Sequence, residues 1–101
     1  MYESKLKSED MDRLYGAILT LKSVEECYMF FEDLCTISEL TSIAQRLKVA
    51  ELLKGKNTCH DISAVTGAST ATISRVNRCL LYGTGGYDMA LKRLSGGADG
   101  S

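Results

Sequence analysis

An all-α fold is predicted by three features of this 101-residue sequence. It contains no proline, so nothing interrupts a helical run by removing a backbone donor. It has few β-branched runs and no alternating stretch long enough for a strand, while apolar residues recur at spacings of three and four. Serine or threonine precedes the apolar runs, where a hydroxyl accepts from the unpaired N–H groups of a first helical turn. A hydrophobic fraction of 45% is that of an ordinary globular chain, read here as a single domain over residues 1–94.

The elements follow in order. Ser8 caps a first helix reaching about Leu21, with Glu9, Asp10 and Asp12 in its electropositive first turn. Its apolar positions are Met11, Leu14, Tyr15, Ile18, Leu19 and Leu21. Ser23-Val-Glu-Glu26 is a capping box, serine and glutamate each accepting from the other's backbone. It opens a second helix carrying Val24, Cys27, Tyr28, Phe30, Phe31 and Leu34, with Cys27 on the apolar face as a small buried hydrophobe. Thr36-Ile-Ser-Glu39 repeats the box and opens a third helix through Leu40, Ile43, Ala44, Leu47, Ala50, Leu52 and Leu53. Gly55 closes it as the C-cap, flanked by Lys54 and Lys56, which complement the helix dipole.

Residues 58–81 read as a helix-turn-helix. Thr58 caps a short helix that ends at Gly67, where a side chain is costly in the left-handed conformation. Ser69 or Thr70 caps the next helix, in which Ile73, Val76 and Leu80 share one face. Ile62, Val65 and Ala68 supply their apolar partners. Gly83-Thr-Gly-Gly86 is a flexible joint before a last short helix with Tyr87, Met89, Ala90, Leu91 and Leu94. Residues 95–101 form a flexible glycine-rich tail.

The second helix of the motif bears Thr70, Ala71, Ser74, Arg75 and Arg78 opposite its apolar face. Small side chains allow a major groove to approach closely, and arginines reach bases or phosphates. The backbone N–H groups at its start, with Ser69, suit a phosphate. Charge is distributed accordingly. Residues 1–52 carry ten acidic and six basic side chains, whereas residues 53–82 carry Lys54, Lys56, Arg75 and Arg78 against Asp61 alone. Double-stranded DNA is therefore the expected partner, with Lys54, Lys56 and Arg78 on phosphates and Thr70, Ala71 and Ser74 near base edges.

The remaining chemistry is negative. The four cysteines form no C-x-x-C pair, and the single His60 adjoins Cys59 rather than standing at a ligand spacing, so no metal site is expected. There is no nucleophile–base pair, carboxylate pair or phosphate loop, and no enzyme is expected. No apolar run reaches the roughly 18 residues of a membrane span, and no signal peptide opens the chain. The expected location is the cytoplasm, whose reducing conditions suit scattered thiols. Tyr28, Phe30 and Phe31 cannot share one inward stripe, because residues this close in sequence point to different sides of a helix. A homodimer burying the N-terminal helices accounts for them, and a two-fold pair of motifs matches a palindromic operator.

Leu52-Leu-Lys-Gly55, Gly67-Ala-Ser-Thr-Ala-Thr-Ile-Ser-Arg75, Arg75-Val-Asn-Arg-Cys-Leu80 and Tyr82-Gly-Thr-Gly-Gly86 together resemble the Trp repressor family, most closely its YerC/YecD-like branch. The resemblance spans roughly residues 5–94. It implies a six-helix, intertwined homodimer that regulates transcription by binding DNA through Thr70, Ala71 and Ser74. The family's base-contacting arginine on the first helix of the motif is replaced here by His60, whose imidazole is shorter than an arginine's arm. Thr72 and Arg75 match positions that close over the tryptophan corepressor. The third helix offers Gln45 or Arg46 for the second pocket arginine. Cys79 replaces a pocket serine and Val76 a glycine, which disfavours tryptophan and leaves the effector, if any, unassigned. A protein-interaction module on a helix-turn-helix scaffold and a tryptophan-responsive repressor are the alternative functions.

Overall fold

A computed structural model describes residues 2–96. Six α-helices, and no strand among the described residues, account for its regular structure. They are α1 (Glu9–Leu19), α2 (Val24–Leu34), α3 (Ile37–Lys54), α4 (Cys59–Thr66), α5 (Thr70–Tyr82) and α6 (Gly86–Leu94). No helix among the described residues is long and apolar enough to cross a membrane. The chain divides into two compact units, residues 1–37 and 38–101. The proposed tail beyond residue 96 lies outside the described residues.

The N-terminal unit follows its capping signals. The Ser8 hydroxyl accepts from Met11 N–H at 3.1 Å, and Lys7 pairs with Asp12 at 2.5 Å. Helix α1 stops at Leu19, two residues before the expected end, with Thr20 and Leu21 bonded back to Ala17 and Ile18 in tighter turns. At α2, Ser23 Oγ accepts from Glu26 N–H at 3.1 Å. The reciprocal bond reaches one residue further back than a capping box requires, from Lys22 N–H to Glu26 Oε1 at 2.9 Å. Phe30 and Phe31 meet edge to face at 5.4 Å, both half-buried. Neither α1 nor α2 has a buried residue. Leu19, Val24, Tyr28 and Met29 are exposed, and so is Cys27, which does not occupy the buried position expected of it.

The second unit contains the core. Val49 and Ala50 of α3, Ile62 of α4, Ala68 of the turn, Ile73 and Val76 of α5 and Leu91 of α6 are buried together. Leu52, Leu53, Leu80 and Tyr87 pack against them. Val49 is fully buried although the sequence reading passes over it, whereas Val65, expected in the core, is 68% exposed. At the end of α3 the left-handed residue is Lys56 (φ 62°), not Gly55. Asn57 N–H reaches Leu52 O and Lys56 N–H reaches Leu53 O, the two bonds of a Schellman closure. After α5, Gly83 caps the end of the helix and Gly85 (φ 86°) caps the start of α6.

Candidate nucleic-acid interface

The helix-turn-helix forms where polar side chains fasten a short apolar hinge. Thr58 Oγ1 accepts from Asp61 N–H at 3.1 Å and starts α4. Gly67 (φ 75°) ends it in the left-handed conformation. Across the turn, Thr66 Oγ1 donates to Ile62 O at 2.7 Å and accepts from Ala68 N–H at 3.1 Å. Ser63 Oγ donates to Ala68 O at 3.0 Å, and Gln45 Nε2 donates to Thr66 O at 3.1 Å. The bonds to Ala68 N–H, Ala68 O and Thr66 O occupy backbone groups outside the ladder of α4, and Ala68 is buried. The start of α5 is thereby fixed relative to α3 and α4.

Helix α5 separates its faces cleanly. Ile73 and Val76 are buried, while Thr70, Ala71, Ser74, Arg75 and Arg78 are exposed. Ala71, Ser74, Arg75 and Arg78 line one depression of about 260 Å³. Ser69 is the N-cap, accepting from Thr72 N–H at 3.1 Å and donating to Thr72 Oγ1 at 3.1 Å. No acidic residue stands in the first turn of α5, so the positive end of the helix dipole has no local carboxylate to neutralise it. Small side chains at the start of the helix, arginines one and two turns later, and an electropositive end make a surface that suits a polyanion's groove.

The other residues marked in the sequence fall around this face. His60 is exposed on the first turn of α4, and Lys56 is exposed at the α3–α4 junction. Lys54 is engaged by Asp88 of α6 in an ion pair between partly exposed side chains. Its charge is thus shared, and a phosphate there must compete with the carboxylate. Thr72, Arg75 and Arg46 line a separate cleft of about 220 Å³ between α3 and α5, together with Ser42 and Gln45. Cys79 is exposed and does not line that cleft. Gln45 and Arg46, alternatives by register, both line it. Ser42 is missed by the sequence reading, although positions 42, 45 and 46 have the i, i+3, i+4 spacing that places side chains on one helix face.

With this geometry in view, comparison with known proteins gives a consistent result. The family model of the Trp repressor protein matches residues 9–95. The chain is 57% identical over 94 residues to YerC of Bacillus subtilis (strain 168), itself uncharacterized, covering 93% of this chain and 90% of that protein. Among solved structures, a TrpR-like protein from Eubacterium eligens ATCC 27750 matches with a TM-score of 0.87 at 54% identity, covering 90% of this chain and 94% of the other. A Trp repressor candidate from Staphylococcus aureus also matches at 0.87, with 50% identity and 90% and 91% coverage.

Proposed function

Since the chain belongs to the Trp repressor family, we propose that it is a sequence-specific DNA-binding transcriptional regulator working as a homodimer in the cytoplasm. The observation carrying this reading is the exposed face of α5, where small residues precede arginines above a buried apolar face. The N-terminal turn of α5 enters a major groove with Thr70, Ala71 and Ser74 toward base edges. Arg78, Lys56, His60 and the N–H groups around Ser69 meet the sugar–phosphate backbone, and Lys54 joins them when DNA displaces Asp88.

The dimer is supported by α1 and α2, which bury no residue in the single chain and leave Leu19, Val24 and Tyr28 in water. Apolar exposure on that scale favours burial against a second copy. Residues 1–94 then act as one dimeric domain. Two motifs related by a two-fold axis engage half-sites about 34 Å apart on a palindromic operator.

Selection of binding sites from fragmented genomic DNA, followed by titration of the recovered site, tests the proposal. Ala71→Glu is expected to abolish specific binding, because it places a carboxylate against the groove, while circular dichroism and sedimentation stay unchanged. Ser74→Arg is expected to do the same by steric exclusion. Undiminished affinity of Ala71→Glu would overturn this placement of α5. A helix-turn-helix used as a protein-binding surface is favoured by one observation, the engagement of Lys54 by Asp88. That reading requires binding without the steep salt dependence that phosphate neutralisation imposes.

A further inference from the structure

The ion pair between Lys54 and Asp88 is fixed by packing. Unlike Lys7–Asp12 and Lys48–Glu51, which join neighbours in sequence, it links the last turn of α3 to the first turn of α6. Leu91 of α6 lies in the core, and Leu53 and Tyr87, each next in sequence to one partner of the pair, pack against it. Residues three apart are neighbours on a helix surface, so the docking of Leu91 brings Asp88 to the end of α3.

From residue 53 to residue 94 the sequence has two carboxylates, Asp61 and Asp88, against six lysines and arginines. Asp61 stands in the first turn of α4, where it complements that helix's dipole. Asp88 instead engages a lysine beside the candidate DNA face. Lys56, two residues further on, enters no ion pair among the described residues. The two lysines of this junction are therefore unequal, one open and one held.

The hold is weak enough to yield. The paired side chains are 45% and 53% exposed, and an ion pair in that setting is screened by water and salt. Duplex DNA offers a phosphate charge about every 1.7 Å along its axis, a denser array of acceptors than one carboxylate. The start of α6 is also lightly secured, because its N-cap is Gly85 and no side chain caps it.

We propose that Asp88 is an internal competitor for DNA phosphate at Lys54, and that this competition couples operator binding to the docking of α6. In the free protein the carboxylate holds the lysine. On the operator a phosphate takes it, Asp88 is released, and the first turn of α6 loosens. Linkage makes the coupling reciprocal: whatever draws the start of α6 away from α3 frees Lys54 and tightens DNA binding. The competition rests on the DNA-binding reading and adds to it an inhibitory residue outside the helix-turn-helix.

The test uses the full-length protein and the operator recovered by selection. Asp88→Asn keeps the shape of the side chain and removes the competitor. It is expected to raise operator affinity about threefold, the scale of an exposed ion pair, and to steepen the slope of log affinity against log salt by up to about 0.9. Asp88→Glu, which keeps the charge, is expected to restore wild-type affinity and slope. The gain must also depend on the lysine, and is expected to fall by at least half when Asp88→Asn is made in Lys54→Gln. An equal gain in both backgrounds would overturn the competition, since loss of a negative charge acts whether or not Lys54 is present. Hydrogen exchange at the Met89 and Ala90 amides is expected to quicken when operator binds the wild type, and to be quick already in free Asp88→Asn. The wild-type exchange measurement stands even where Asp88→Asn fails to fold, and unchanged exchange there would overturn the coupling to α6. Operator binding by the wild type with no gain in Asp88→Asn would overturn the competition alone. A wild type that binds no DNA would remove it together with the DNA-binding reading.

Discussion

Lys56 holds the left-handed conformation (φ 62°) that the closure of α3 requires, next to a glycine that does not use it. A residue with a Cβ pays about 1 kcal/mol for that conformation, and Lys56→Gly is expected to raise stability by roughly that amount. The same change removes a candidate phosphate contact, so the slope of log affinity against log salt should fall by about 0.9 for each lysine lost. Thermal unfolding and a salt titration of operator binding read the two effects separately. Gly83 presents the opposite case. A Cβ built there would sit 2.4 Å from Cys79 O, against rigid helix backbone. Gly83→Ala is therefore expected to cost roughly 1–3 kcal/mol through forced displacement, visible as a lowered Tm at matched protein concentration.

At the scale of elements, the turn between α4 and α5 owes its angle to hydrogen bonds as well as to Ala68. Thr66→Ala removes the acceptor for Ala68 N–H and the donor to Ile62 O. Leaving a partly buried amide unpaired costs about 1–3 kcal/mol, and the larger expected effect is on α5, whose proposed entry into the groove depends on this turn. Operator affinity should fall by more in Thr66→Ala than in an exposed control such as Val65→Ala, measured at a temperature where both are folded. The capping hydroxyls of Ser8, Ser23, Thr58 and Ser69 and the glycine after α4 were legible in the sequence because they act on their own helix. Val49, Val65 and Cys27 were not. Helix α3 has apolar residues on several sides, and which of them meets α4 and α5 depends on tertiary packing that periodicity does not encode. The α5 face was legible as a set of exposed residues. The cleft was only half legible, since Ser42 acquires its place from α5, distant in sequence, and Cys79 does not line it. The Lys54–Asp88 pair joins positions 34 residues apart and leaves no local signature.

For the whole molecule, the two units differ in what they bury. Among the described residues, all seven buried apolar side chains lie in residues 38–96, and residues 2–37 hold none. The proposed dimer therefore makes most use of α1 and α2, and a charge on their exposed apolar residues should dissociate it. Tyr28→Glu is expected to shift sedimentation from dimer toward monomer at micromolar concentration. Operator binding should then weaken far more than twofold, because the two half-sites no longer share one binding event. Retention of a dimer in that variant would place the subunit interface elsewhere.

The lack of a buried residue in α1 and α2 also bears on how long the protein survives in a cell. A lone chain presents two helices whose opening costs little, and local opening is what proteases act on. In the proposed dimer, association removes that route by mass action. Chains below the dimerisation constant are then cleared quickly, and chains above it persist. The proposed dimer thus gives abundance a threshold, below which unpaired chains are degraded before they can act.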